Sequence, residues 1–345
     1  MRKPACRYGY NVAVMTRFPA VLLPILRQLS DGRFHSGQAL AEKFGLSRAS
    51  VCNAFALAQQ MGIRIHAVQG RGYRLAYQVE WLDQEAVQGL LGDLRHQYQL
   101  KMVDVVDSTS VALMRDAMAG ARSGSVLCAE HQFQGKGRRG REWRSVLGGS
   151  LTFSVLWRFE QGIQEISGLS LAVGLAVARA VNRFSVHKVS LKWPNDILLD
   201  YRKLAGILVE VQGDLHGSSF AVVGIGLNVN LAPEYRDEID QAVVDLAEMG
   251  VTTGRNQLLA ACLEELDQVV GVLREQGFSA LREDWMHLDA YAGHRVNLSM
   301  PDGRTLTGHA DGIDETGGFV LRDAQGHQRV YSGGEIRLRP AGDAP

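Results

Sequence analysis

Two apolar runs, KVSLKW at 188–193 and AGILVEV at 205–211, lie on either side of PNDILLDYRK, and almost no chain is left between them to turn in. Asp200-Tyr201-Arg202 reads as a short hairpin connection. Parallel neighbours need a crossover of a dozen or more residues, so a link this short joins antiparallel strands. At least part of the sheet is therefore antiparallel, and a fully parallel dinucleotide-binding sheet is disfavoured. Further apolar runs, VLCAEHQ, LTFSVLW and FAVVGIGLNVN, alternate with helical patterns from about residue 80, which predicts an α/β or α+β core. The segment from Glu165 to Phe184 is apolar around much of its circumference and predicts a helix buried against that sheet.

The amino-terminal part follows a different rhythm. AVLLPILRQLSDG reads as an amphipathic helix ending at Asp31-Gly32, and HSGQALAEKFGLSRASVCNAFALAQQMG as two helices around a turn at Gly45. Ala41, Gly45 and Val51 stand where a helix-turn-helix needs a small contact residue, a residue tolerating positive φ, and an apolar anchor. IRIHAVQGRGYRLA then reads as two short strands turning at Gly70-Arg71-Gly72, a wing. A winged helix-turn-helix is the expectation. Ser47 caps its second helix and, with Arg48, Ser50 and Asn53, forms the face expected to meet DNA, with Arg64, Arg71 and Arg74 on phosphates. The bland reading is a three-helix unit that only packs or binds protein. One such module has a small footprint, so useful specificity needs a dimer on a two-fold site.

Charge limits the other partners. Lys+Arg and Asp+Glu number 37 each among 345 residues, so any basic site is a local concentration. One stands out at 133–149, FQGKGRRGREWRSVLGG, where Lys136, Arg138, Arg139, Arg141 and Arg144 face the single acid Glu142. Its glycines break any regular element, so it reads as a loop. Crowded cations repel unless an anion is bound, and glycines let backbone N–H groups approach that anion, which points to phosphate. The pattern is neither GxxxxGK[ST] nor GxGxxG, and on its own a solvated basic loop is as good a reading. Four cysteines, Cys6, Cys52, Cys128 and Cys262, stand far apart with no Cys/His pairing, so neither a disulfide framework nor a zinc site is expected. The longest charge-free apolar run, Ile166 to Ala178, is too short for a membrane span. A soluble cytoplasmic protein is the expectation.

Three further places add chemistry. Lys192-Trp193-Pro194-Asn195-Asp196 sets an amide and a carboxylate beside a rigid turn, and Lys203 follows one hairpin later, as either a fixed charge in a site or a surface lysine. Gly224 and Gly226 fall on one side of a strand and leave room for a ligand against the backbone, or mark a bulge. Asp107-Ser108-Thr109 precedes a helical pattern and either caps it or holds a small polar group.

Together, DST at 107–109, GKGRRGREW at 135–143, KWPNDI at 192–197, RKLAGILVE at 202–210 and GIGLNVN at 224–230 resemble the biotin protein ligases. FHSG at 34–37, GLSRA at 45–49 and GRGY at 70–73 are similar to the amino-terminal domain of the bifunctional ligases that also repress the biotin operon. The resemblance runs from about residue 20 to 340. It implies an α+β chain of three parts: a winged helix at 20–80, a central mixed α/β catalytic domain of the class II synthetase type at 81–288, and an SH3-like barrel at 289–345. MRKPACRYGYNVAV, at 1–14, has no counterpart; 1–19 reads as an extension, with Met15 as the natural start.

The resemblance also implies an activity. Biotin and ATP give biotinyl-5′-adenylate and pyrophosphate, and a lysine of the biotin carboxyl carrier protein of acetyl-CoA carboxylase then takes the biotinyl group. Lys203, Arg138 and Lys136 are implied as catalytic. Ser108, Thr109, Ser110, Gln132, Lys136, Gly137, Arg138, Lys203, Gly224 and Gly226 are implied around biotin. Arg139, Arg141, Trp143, Asn195, Asp196 and Asn228 are implied around ATP, which is expected to bring Mg²⁺ with few protein ligands and no resident metal site. Closure of the loop would shield the mixed anhydride from water, with Trp143 at its end. Lys136 stands where the family has arginine, Ser110 where it has asparagine, and residues 231–250 carry acids and no tryptophan, leaving Val243, Val244 and Leu246 to cover the adenine. Operator DNA, a homodimer formed with adenylate bound, and no membrane partner complete the implied set. The alternatives are a lipoate or octanoate ligase of the same fold and a DNA-binding biotin sensor without catalysis; Lys203 and the complete loop argue against the latter.

Overall fold

The computed structural model describes residues 19–340 apart from 61–62, 78, 161–165, 215–216, 233–234, 237–238, 240, 301–303 and 333–336. The segment before Pro19, with its candidate start at Met15, lies outside the described residues, as do Glu234, Asp237, Glu238 and Asp240. The chain forms two compact units, one ending at Trp81 and the other beginning at Leu82.

In the first unit, helices α1 (Pro19–Leu29), α2 (Gly37–Phe44) and α3 (Arg48–Gln60) precede a two-stranded ribbon, β1 (Ile65–Val68) and β2 (Gly72–Leu75). Local chemistry accounts for the boundaries. Ser36 accepts from Ala39 N at 3.0 Å to cap α2, and Gly45 ends that helix at φ 63°, a conformation that costs a side chain bearing a β-carbon. Ser47 then accepts from Ser50 N at 3.0 Å and opens α3. Leu26, Leu29, Leu40, Val51 and Ala58 interleave beneath. Gly72 explains the GRGY motif: its φ is 103°, and a β-carbon there would overlap the carbonyl of His35. That approach lets His35 and Tyr73 exchange two backbone hydrogen bonds of 2.8 Å, tying the ribbon to the turn before α2.

In the second unit, seven strands make one sheet in the order β3-β4-β5-β9-β8-β7-β6. They are β3 (Gln99–Val106), β4 (Ser125–Gln132), β5 (Ser150–Phe159), β6 (Ser190–Lys192), β7 (Asp196–Leu199), β8 (Arg202–Gly213) and β9 (Ser219–Asn228). Only β3 and β4 pair in parallel, and every other neighbour is antiparallel. The connection from β7 to β8 is the expected hairpin, with Asp200 and Tyr201 at φ 49° and 59°, the signs a two-residue turn between twisted strands requires.

Side-chain alternation along the strands sorts the helices. Val126, Cys128, Phe153 and Val155 face the core shared with α6 (Leu169–Asn182) and α7 (Arg255–Gln276). Leu127, Leu156 and Val222 face α5 (Thr109–Met118), through Leu113 and Ala117. α6 is buried from Leu171 through Ala178, so each Leu or Val there adds about 1.5–3 kcal/mol of apolar burial. Two polar side chains are buried in this core as a pair: Arg255 Nη2 lies 2.7 Å from Glu130 Oε2, and both are 2 % exposed. Glu130 also accepts from Leu82 N at 2.6 Å, so the start of the unit, β4 and α7 (Arg255–Gln276) meet at one ion pair.

Two short helices, α4 (Gln84–Leu91) and α8 (Arg282–His287), complete the helical layer. Five antiparallel strands follow in the order β13-β12-β11-β10-β14: β10 (Arg295–Ser299), β11 (Thr305–Ile313), β12 (Phe319–Arg322), β13 (Gln328–Tyr331) and β14 (Arg337–Pro340). This small sheet is docked by Trp193, whose Nε1 donates to Gly317 O at 2.9 Å and whose ring lies 5.6 Å from Phe319. The architecture is mixed α+β. Among the described residues no helix is long and apolar enough to cross a membrane, and Cys52, Cys128 and Cys262 are free thiols.

Candidate functional site

A cleft of about 650 Å³ opens at the end of the seven-stranded sheet where β4 finishes and β8 and β9 begin and end. Its floor is backbone. Gly206 of β8 pairs with Gly226 of β9, Leu208 pairs with Gly224, and the missing side chains leave a strip of main chain along the cleft. The space over the glycines is partly claimed by the protein itself: a β-carbon on Gly224 would overlap Ser110 Oγ, and one on Gly226 would overlap the indole of Trp143.

One wall comes from the start of α5 (Thr109–Met118). Ser108 stands at its N-cap position but makes no capping bond; its own N–H donates to Asp107 Oδ1 at 2.8 Å. Gln132, at the end of β4, takes the role through Oε1, which accepts from Thr109 N at 2.7 Å and from Thr109 Oγ1 at 3.0 Å. Ser154 of β5 joins them, 2.8 Å from Thr109 Oγ1 and 3.1 Å from Ser110 Oγ. These groups are all buried, so each hydroxyl is held in one orientation by its neighbours.

The basic segment is more ordered than a formless loop. Lys136 and Glu142 form an isolated bridge, Gly137 N donates to Arg141 O at 2.7 Å, and Trp143 N donates to Gly135 O at 2.8 Å. The tip is one tight turn at Arg138–Gly140, with Arg139 and Gly140 both left-handed at φ 61° and 70°. The glycines break any regular strand or helix here, as expected, and also permit this narrow turn. A β-carbon on Gly135 would overlap the Trp143 carbonyl.

The hairpin lays Lys136, Gly137, Arg138, Arg141 and Trp143 along the cleft. Arg138 is clamped across it, with Nη1 donating to Asn195 Oδ1 at 2.9 Å, while Asn195 Nδ2 donates to Ile207 O at 3.0 Å. Burial, together with Arg139 and Arg141, pushes the Arg138 guanidinium below its ordinary range, and Asp196 opposes that shift. A bound anion would relieve the same repulsion.

Lys203 closes the fourth side. Its Nζ is 2.7 Å from Asp196 Oδ1, a charge contact without hydrogen-bond alignment, and 5.8 Å from the centroid of the Trp143 ring. Its backbone is fixed twice over. Lys203 N donates to Ala242 O at 2.9 Å, Val244 N donates to Lys203 O at 3.0 Å, and Asn228 Nδ2 reaches Lys203 O at 3.3 Å. Three expected site residues therefore lie off the cleft wall: Arg139 on the exposed tip, Asp196 behind Lys203, and Asn228 buried beneath it. Asn228 acts on the site through the Lys203 main chain.

The segment expected to cover the adenine is differently used. Val244 and Leu246 are buried in the main core, and Val243 packs with Val146 and Leu231, so Gln241 is the residue that this segment presents to the cleft. Glu142, Gly206, Ile207, Leu208 and Ile225 also line the cleft unforeseen. Gly206 carried a signal of its own, as a glycine inside a β run; the others were marked only as parts of the quoted motifs. Among the described residues no group of three or more His, Cys, Asp or Glu could hold a metal ion.

In the first unit, Ser47, Arg48 and Asn53 are exposed on α3 (Arg48–Gln60) or at its start, and Ser50 is half-buried. Arg71 and Arg74 stack on Phe34, their guanidinium carbons 4.5 and 5.1 Å from its ring centroid. Stacking orders the two wing arginines; Arg71 is exposed and Arg74 half-buried.

Three family models match the chain: the biotin/lipoate A/B protein ligase family over residues 102–230, an HTH domain over 22–74, and the biotin protein ligase C terminal domain over 291–339. The bifunctional ligase/repressor BirA of Salmonella typhimurium is 36 % identical over 93 % of this chain and 98 % of its own length. Its counterpart in Bacillus subtilis is 28 % identical over 88 % of the chain and 94 % of its own. Among solved structures, the biotin protein ligase of Aquifex aeolicus in complex with biotin and ATP matches with a TM-score of 0.61 at 30 % identity, covering 70 % of this chain and 99 % of that one.

Proposed function

The chain belongs to the bifunctional biotin ligase/repressor family, and from that membership we propose how its parts divide the work. The second unit activates biotin with ATP to biotinyl-5′-AMP and transfers the biotinyl group to a lysine of the biotin carboxyl carrier protein of acetyl-CoA carboxylase, in the cytoplasm where that enzyme works. The first unit binds operator DNA of biotin genes, with the adenylate as co-repressor and a homodimer as the binding form.

The observation that carries the ligase reading is the convergence of two fixed cations on one glycine-floored cleft: Lys203 from the β7–β8 hairpin and Arg138 from the basic hairpin. A biotin carboxylate oxygen attacks the α-phosphorus, the bond to the bridging oxygen breaks, and pyrophosphate leaves with the electron pair. Nucleophile and electrophile are both anionic, so cations placed between them lower the repulsion and stabilise charge on the transferring group. Lys203 bridges carboxylate and α-phosphate, while Arg138, Lys136 and the exposed Arg139 and Arg141 meet the remaining phosphate oxygens as the hairpin closes. In the second step the carrier lysine attacks the acyl carbon, AMP departs and the new amide loses a proton.

Mg²⁺ arrives as part of the ATP substrate. Such an ion keeps most of its water and takes one or two carboxylates beside the phosphates, and Glu142, which lines the cleft, and Asp196, against Lys203, are carboxylates that could serve it. Biotin is a neutral ureido ring on an apolar chain, which suits the fixed Thr109, Ser110 and Gln132 groups at one end of the glycine strip. Biotin-dependent exchange between ATP and pyrophosphate tests the ligase reading. Exchange with lipoate in place of biotin would move the chain to the other branch of the matched family. For repression, DNA from the chain's own biotin-gene promoter should be bound more tightly with biotin and ATP present, and sedimentation should then show a dimer.

A further inference from the structure

One segment of chain holds Lys203 and its neighbour in two different ways. The main chain of Lys203 is bracketed by Ala242 O and Val244 N, at 2.9 and 3.0 Å, while the side chain of Arg202 pairs with Glu248. Successive side chains on a strand point to opposite faces. Anchoring Arg202 on one side therefore sets the roll of β8 (Arg202–Gly213) where it begins, and with it the direction in which Lys203 leaves the strand.

That segment is itself secured by charge. Arg236 pairs with Asp245 through Nη2 and with Glu248 through Nη1, and its Nε donates to Leu231 O at 3.4 Å. The Asp245 side chain is fully buried; Oδ2 also accepts from Leu231 N and Oδ1 from Glu248 N, both at 2.8 Å. Hydrogen bonds from Arg202 and Arg236 keep the Glu248 carboxyl below its ordinary range, against the opposing effect of burial. Asp245, Arg236, Glu248 and Arg202 thus alternate in sign from a buried carboxylate to the residue beside Lys203. Exposed ion pairs contribute little singly, but a buried carboxylate stripped of its cation is strongly destabilised, which makes Arg236 the member on which the chain of charges depends. None of these four residues lines the cleft.

We propose that Arg236 is a positioning residue for Lys203: joined to Asp245 and Glu248, it holds residues 242–248 against the start of β8 so that the ammonium stands between the biotin carboxylate and the α-phosphate. The proposal rests on the role given to Lys203 above. Asp196 holds the tip of the lysine side chain, and the Arg236 network holds its base. Displacing a charge-stabilising group by about an ångström can cost on the order of a hundredfold in rate. Both substrates keep their other partners in the cleft, so loss of Arg236 is expressed in kcat and hardly in KM.

The test is biotin-dependent pyrophosphate exchange by the full-length protein, with kcat and the KM for biotin and for ATP measured separately. Arg236→Ala should lower kcat about tenfold and leave both KM values within about twofold of native. Arg236→Lys, which keeps the charge but loses the fork that joins two carboxylates, should recover part of that loss. In a Lys203→Ala background, Arg236→Ala should lower exchange by less than about a further twofold, because no ammonium is left to position. Glu248→Gln leaves the Arg236–Asp245 pair in place and should lower kcat by a smaller factor, so the same cycle can be run with it if Arg236→Ala does not fold. Native kcat in these variants overturns the proposal. So does a raised KM for ATP at unchanged kcat, which would make Arg236 an ATP contact, or a loss that multiplies with that of Lys203→Ala, which would make it a general support of the fold. Exchange near the native rate in Lys203→Ala alone removes the role given to Lys203, and this proposal with it.

Discussion

Lys203 Nζ and Asp196 Oδ1 lie 2.7 Å apart, on neighbouring strands joined by a two-residue turn, with side chains only 14 % and 16 % exposed. The contact with the carboxylate holds the ammonium beside the cleft, so the group expected to bridge two anions is in place before either arrives. Lys203→Ala should reduce biotin-dependent pyrophosphate exchange by at least about a hundredfold, the range for removal of one fixed donor from a charge-stabilising site. Circular dichroism and melting temperature should stay close to native. Exchange near the native rate would remove Lys203 from the chemistry.

The Glu130–Arg255 pair behaves differently, because its contribution is to folding. Removing one partner leaves the other charge buried, at a cost of about 3–5 kcal/mol. Glu130→Gln should lower the melting temperature of the second unit by on the order of 10 °C. At temperatures where the variant remains folded, the KM for ATP should change little. A variant as stable as the native chain would mean that Arg255 finds another partner.

Gly72 allows the DNA unit to be tested apart from the ligase. At φ 103° with the His35 carbonyl against its α-carbon, Gly72→Ala should displace the wing that carries Arg71 and Arg74. Operator binding measured by fluorescence anisotropy should weaken at least about tenfold, given the several phosphate contacts at risk. Pyrophosphate exchange should be unaffected.

Asp289 gives stability a pH dependence of unusual sign. Burial pushes its carboxyl up to about 6, against a hydrogen bond from Tyr291 N to Oδ1 and the nearby His294, and Oδ2 is buried without a partner. The folded state therefore holds a proton that the unfolded chain releases near pH 4. This contribution is complete below about pH 4, falls as the pH rises, and is lost above about pH 6. Urea unfolding at pH 4.5 and 7 should show Asp289→Asn removing that part of the slope; an unchanged profile would show that Asp289 is ionised in the fold.

Much of this was legible in the chain itself, for local reasons. The antiparallel β7–β8 pair followed from a connection too short for anything else, and the helix-turn-helix in large part from Gly45 and Ser47, where a missing side chain and a hydroxyl act within three or four residues. The cations of the hairpin, Gly224 and Gly226 announced a site because glycine and concentrated charge cost free energy unless used. Sequence alone could not say that Asn228 would be spent on the Lys203 backbone, that Val244 and Leu246 would sink into the core while Gln241 faces the cleft, or that Gln132 rather than Ser108 would cap α5. Those outcomes depend on which side chain arrives opposite a given backbone group across the sheet. That is decided when strands distant in sequence pair and bury, so only the tertiary structure could choose among donors and apolar residues that look equivalent along the chain.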